Sequence, residues 1–164
     1  MNRTSKILNI FYCLTVILFL LDNLASFDIK NQLFKSIVYW CFLIGTPVML
    51  FMNFFSIRTK VKRIIFTIYP TALLVLILVL NPIKILFSSS SWKTQTVLYQ
   101  NGHLPFHKIE FQMQDLGALG YNKRTVKVLY LTSLFMLTSE VPEDIDNRIE
   151  WIKIENDVNE LNLK

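Results

Sequence analysis

The chain has 164 residues, 52% of them hydrophobic, and a mean hydropathy of +0.40, which excludes an ordinary soluble domain. A net charge of +5 and an isoelectric point near 9.3 would suit a nucleic-acid binder, but the basic residues flank apolar runs instead of forming one patch, so no nucleic acid is expected. Residues 1–91 carry nine basic and two acidic side chains, whereas residues 92–164 carry eight basic and ten acidic ones.

The first apolar run, Ile7–Leu21, is interrupted by Asn9 and Thr15. Alone it covers only about 22 Å of a bilayer core of about 30 Å, so the span is expected to continue through Asp22 and Asn23 to Phe27. Arg3 and Lys6 before it, and Ala25-Ser26 after it, also fit a signal peptide; the retained helix is the preferred reading. A lipoprotein site at Cys13 is disfavoured, because bulky Tyr12 stands where a small residue is wanted. The second run, Ile37–Phe55, holds no charge, and Gly45-Thr46-Pro47 at its middle predicts a kink. The third begins at Ile64, contains Pro70, and passes through Asn81-Pro82 to Phe87, with Lys84 able to snorkel. Spans are therefore expected at about 7–27, 37–55 and 64–87, together forming a transmembrane domain over residues 1–87.

Between the second and third runs, Arg58, Lys60, Lys62 and Arg63 crowd one short loop. These four residues determine the topology: the positive-inside rule makes that loop cytoplasmic, and Arg3 and Lys6 place the N-terminus on the same side. The residues after Phe87 then lie outside the cytoplasm, in a multi-pass protein of a bacterial-type inner membrane.

Ser88–Ser91 reads as a flexible linker into a small, mainly antiparallel α+β domain over residues 92–164. Thr94–Tyr99 is rich in β-formers, and Asn101-Gly102 is a turn signal, although Pro105 and His107 imply a longer loop. Over Ile109–Met113 the alternation places Ile109, Phe111 and Met113 on one face, and Glu110, Gln112 and Gln114 on the other, expected in water. Gly117 and Gly120 break the chain, and Asn122-Lys123 reads as a turn. Thr125–Leu131 predicts a strand, followed across Thr132-Ser133 by a second short one. Pro142, Glu143, Asp144 and Asp146 favour a helix start, and Trp151–Ile154 fits either helix or strand. Without a disulfide a domain of this size is marginal, and support from residues 22–36, the membrane or a partner is expected.

Few residues point to chemistry. His103 and His107, with Glu110 or Asp115, form the weak metal candidate, but Pro105 between the histidines argues for a loop of solvated side chains, and neither metal nor cofactor is expected. Tyr99, Phe111, Tyr121 and Tyr130 would line a pocket if the domain bound a small ligand. Lys123, Arg124 and Lys127 would meet lipid phosphates if they faced the bilayer. Cys13 and Cys41 read as small buried hydrophobes. Asn9, Asn53, Thr46, Thr67 and Thr71 are expected to form helix–helix hydrogen bonds. No ionisable residue stands at the centre of a span, which disfavours pumps and transporters, and no phosphate-cradling glycine loop, metalloprotease helix motif or nucleophile elbow occurs. The sequence therefore points to a membrane accessory or interaction protein that contacts the bilayer and binds a protein partner or further copies of itself through its helices. Extracytoplasmic ligand sensing is the first alternative, and a metal-dependent enzyme the second.

Overall fold

The computed structural model describes residues 3–57, 59–141 and 150–163. The elements run α1 (Arg3–Leu24), β1 (Phe27–Ile29), α2 (Gln32–Ser56), α3 (Lys60–Leu80), α4 (Pro82–Ser88), β2 (Trp92–Asn101), β3 (His107–Asp115), a 3-10 turn (Gly117–Leu119), β4 (Tyr121–Tyr130), β5 (Phe135–Ser139) and β6 (Trp151–Asp157). Two compact units result. One comprises Met1–Leu20 and Ser36–Ser89, and the other Leu21–Lys35 and Ser90–Lys164.

In the helical unit, α1, α2 and α3 are each long and apolar enough to cross a bilayer. Their polar side chains bond one another. Asn9 donates to Asn53 Oδ1 at 3.2 Å, Tyr69 donates its hydroxyl proton to Asn9 Oδ1, and Asn53 donates to the Phe66 carbonyl at 2.8 Å, so one cluster joins all three helices. Thr46 donates to the Phe42 carbonyl, which leaves its oxygen to accept from Tyr12 at 2.5 Å. Gly45 makes room for this contact, since a Cβ there would lie 3.3 Å from the Tyr12 ring. Phe19 stacks on Phe42 at 3.8 Å and meets Tyr39 edge-on at 5.1 Å. Thr67 and Thr71, by contrast, bond the carbonyls of Arg63 and Thr67 within their own helix.

Several sequence expectations change here. The third helix starts at Lys60 and ends at Leu80; it does not run on to Phe87. Asn81 adopts φ 66° and accepts the Ile83 N–H at 3.0 Å, which starts α4 afresh with Pro82 in its first turn. Cys13 is exposed and Cys41 half-buried. On a helix the residue beside inward-facing Tyr12 is turned by about 100°, which carries Cys13 away from the core. Lys60 and Lys62 are exposed; Arg63 donates to the Ile57 carbonyl at 2.9 Å; Arg58 lies outside the described residues.

The second unit is a six-stranded antiparallel sheet in the order β1-β5-β4-β3-β2-β6. Residues 21–35 belong to it: β1 forms an edge strand, with Asp28 opposite Met136 and Ile29 opposite Phe135. Asp22 holds this segment in shape. Its carboxylate accepts the Ile29 N–H at 2.7 Å and pairs with Lys35 at 3.0 Å, both side chains being almost fully buried. Of the serine run, Ser88 closes α4, and Ser91 is buried in the sheet unit, where its N–H donates to Gln32 Oε1 at 2.6 Å. Asn122 and Lys123 lie within β4; the turn comes earlier, at Gly117 and Gly120, both at positive φ. Trp151–Asp157 is a strand, while Pro142, Glu143, Asp144 and Asp146 lie outside the described residues. Both sheet edges are blunted, β1 by its shortness and β6 by a bulge at Ile154-Glu155, where Glu155 has φ 48°.

Replacing Asn53 by Ala removes the amide that links three helices and leaves Asn9 short of a partner. The helical unit is expected to lose about 1–2 kcal/mol, read as a lower midpoint in unfolding titrations of the detergent-solubilised chain. Thr71→Ala, which breaks only an intrahelical bond, is expected to stay within about 0.5 kcal/mol of the native chain.

Candidate functional site

Strand register divides the sheet into two faces. Pairing of Ile109 with Lys127, Phe111 with Thr125 and Met113 with Lys123 puts these on one face; Glu110, Gln112 and Gln114 lie on the other, with Val126, Arg124 and Asn122 beside them. The polar face is the surprise. Glu110, Gln112 and Gln114 are 1%, 0% and 6% exposed, so the stripe expected in water is interior. Ile109 and Trp151 anchor a small apolar cluster on the opposite face, which leaves the β3 strand covered on both sides.

Burial obliges each polar group to find a partner, since an unpaired buried donor or acceptor costs about 1–3 kcal/mol. The groups form a continuous chain. Asp28 Oδ2 accepts from Arg124 at 2.8 Å and from the Thr138 hydroxyl at 3.0 Å. The Arg124 guanidinium lies over the Trp92 ring at 4.0 Å and donates twice to Gln112 Oε1, at 3.0 and 2.8 Å. Gln112 donates to Glu110 Oε2 at 3.0 Å. That carboxylate also accepts from Thr94 at 2.7 Å and, through both oxygens, from Tyr130 at 2.9 and 2.8 Å. Lys30 Nζ donates to the Tyr130 hydroxyl at 3.1 Å, lies 4.3 Å from its ring centre, and pairs with Glu160 at 3.3 Å. Burial drives the Tyr130 phenol well above its usual range, and the Glu110 carboxylate adds to the effect, so the phenol keeps its proton and acts as a donor.

The residues singled out from sequence separate. Glu110 belongs to this polar layer, whereas His107 projects from the opposite face and meets the Trp151 ring edge-on at 5.0 Å. His103 is exposed in the β2–β3 loop, where its N–H and that of Leu104 are bonded by Asn101 Oδ1. Among the described residues no three His, Cys, Asp or Glu side chains gather as metal ligands. Burial lowers the His107 pKa, with the Lys127 ammonium adding to it, which favours a neutral ring. Tyr130 lies on the polar face and Tyr99, Phe111 and Tyr121 on the other, so these aromatics do not line one pocket. Arg124 is likewise turned inward, away from Lys123 and Lys127, which separates the three basic residues.

Several openings among the described residues are large enough to hold a small group. A shallow cavity of about 390 Å³ in the sheet unit is lined by Lys30, Tyr130, Thr132 and Ser133, at the outer end of the polar chain. A groove of about 420 Å³ in the helical unit, between α1 and α2, has an almost wholly apolar lining that includes Phe11, Trp40, Cys41 and Val48. The chain matches no family model, no curated protein and no solved structure.

Glu110→Ala strands the Thr94, Tyr130 and Gln112 donors together and is expected to cost about 1–3 kcal/mol in the thermal or denaturant unfolding of the sheet unit. Glu110→Gln, whose amide oxygen still accepts, is expected to cost less; equal stability of the alanine variant and the native chain would contradict the role assigned to this carboxylate.

Proposed function

We propose that the chain is a multi-pass membrane accessory protein, with the sheet unit outside the cytoplasm, that acts by binding a protein partner. The observation that carries this reading is how the polar residues are spent. Glu110, Tyr130, Gln112 and Arg124 hold one another, and Asn9, Asn53 and Tyr69 hold the helices, so both sets are committed to structure. A single span would suffice to tether the sheet, and three spans supply surface for contacts within the bilayer. Exposed Lys60 and Lys62 at the start of α3, with Arg3 and Lys6 before the first apolar run, support a cytoplasmic placement for both segments.

A second reading, capture of a small ligand outside the membrane, draws on the cavity beside Lys30. The two differ in what accompanies the protein. Purified from its native membrane in mild detergent, the full chain is expected to bring a near-stoichiometric protein partner, identified by mass spectrometry. A reporter that is active only outside the cytoplasm, fused after Leu163, is expected to be active. A chain that emerges alone would contradict the partner reading, and an inactive reporter the orientation.

A further inference from the structure

The outer edge of β2 is paired along only part of its length. β6 covers it from Thr96, opposite Asp157, to Asn101, opposite Trp151, and the edge at Thr94 and Gln95 lies beyond. The segment after β6 turns back over that stretch. Val158 and Asn159 donate their N–H groups to the Gln95 carbonyl at 2.8 and 2.9 Å, and Glu160 donates to the Thr94 carbonyl at 3.0 Å. In return the Thr94 N–H donates to Glu160 Oε2 at 3.0 Å, while Lys30 Nζ lies 3.3 Å from Oε1. One carboxylate is thus held through both oxygens, by a backbone N–H and an ammonium, with further backbone bonds alongside.

The receiving groups are positioned independently of their occupant. Lys30 is placed by the Tyr130 hydroxyl and ring, and Thr94 by the hydrogen bond of its hydroxyl to Glu110. The occupant is less deeply fixed. The Lys30 and Glu160 side chains are each 26% exposed, which makes the ion pair solvent-screened and weak. Asn159 and Leu163 bond each other, at 2.8 and 2.9 Å, in a local turn. Beside Lys30 the cavity of about 390 Å³ leaves room for a longer or bulkier chain.

We propose that this ledge is a recognition site for an acidic peptide segment of a protein partner, and that Val158–Glu160 occupies it in cis. The proposal rests on the partner-binding reading and names the chemistry of the contact: a tight turn of backbone whose N–H groups meet the Thr94 and Gln95 carbonyls, as at Asn159 (φ 46°), with a carboxylate on Lys30 and the Thr94 N–H. Main-chain bonds to the exposed end of the β2 edge supply affinity, and the acidic side chain supplies specificity. A tethered occupant acts at an effective concentration of order mM, so it masks the ledge until a better or more abundant peptide displaces it.

The test uses a fluorescent peptide of the sequence Asn-Asp-Val-Asn-Glu-Leu-Asn, titrated by anisotropy against the detergent-solubilised chain. A chain ending at Asp157 is expected to bind it at least about tenfold more tightly than the native chain, and Glu160→Gln about two- to fivefold more tightly. Adding Lys30→Met to Glu160→Gln is expected to abolish that gain, and a peptide with Gln in place of Glu is expected to bind about two- to fivefold more weakly. Should the shortened chain fail to fold, Glu160→Gln carries the test. The proposal is overturned if variants that melt cooperatively bind no better than the native chain, or bind the Glu and Gln peptides alike. No cellular partner enters this measurement, so its failure and a failure of co-purification are separate results.

Discussion

Asp28 and Lys30, two residues apart in one short segment, stand at either end of the polar layer of the sheet. From Asp28 the bonds pass through Arg124, Gln112, Glu110 and Tyr130 and return to Lys30. Asp22 and Lys35, bonded to each other, pin the same segment from its flanks. The sheet therefore does not close on the continuous stretch from residue 90 onward. It needs an edge strand from between the first two long helices, and the charges that recruit this strand also satisfy the buried centre of β3.

This arrangement is costly to leave incomplete. Burying a carboxylate or guanidinium is tolerated only with near-complete pairing, and removing one member leaves the others desolvated without compensation. An apolar layer of similar volume would be as stable or more so, but it would specify register less sharply, whereas Arg124, Tyr130, Thr94 and Thr138 each donate to an acceptor on a neighbouring strand. The helical unit follows the same logic in a more apolar setting: Asn9, Asn53 and Tyr69 fix which faces of three otherwise similar apolar helices meet. In both units polar side chains decide which alignment is adopted, and apolar burial supplies the bulk of the cohesion.

The helices were legible because each long apolar run is a signal in itself, and the β3 alternation was legible for the same reason. The destination of the alternating residues was not. Glu110, Gln112 and Gln114 carry the pattern of a half-solvated strand, and nothing local distinguishes that from a strand whose polar face is covered; the difference lies in Thr94, Arg124 and Tyr130, which register alone brings alongside. β1 was hidden by its brevity and by its place between two apolar runs, where Asp22 and Asn23 read as the end of the first span. Asn81 was readable as a helix breaker only through its pairing with Pro82, and the apolar residues beyond it masked the break. The metal candidate rested on sequence proximity, but His107 and Glu110 are three apart on a regular strand and therefore face opposite ways.

The most direct test is amide hydrogen exchange of the detergent-solubilised full chain, resolved for residues 27–30 against the central strand. The Ile29 N–H is held by Asp22 and the Lys30 N–H by the Leu134 carbonyl at 2.8 Å. If this segment is an integral strand, both amides exchange as slowly as those of Ile109 to Gln112, and Arg124→Leu accelerates the two sets together. Exchange at the rate of an unprotected loop, with β3 still slow, would show that the sheet stands without its edge strand and would contradict the account.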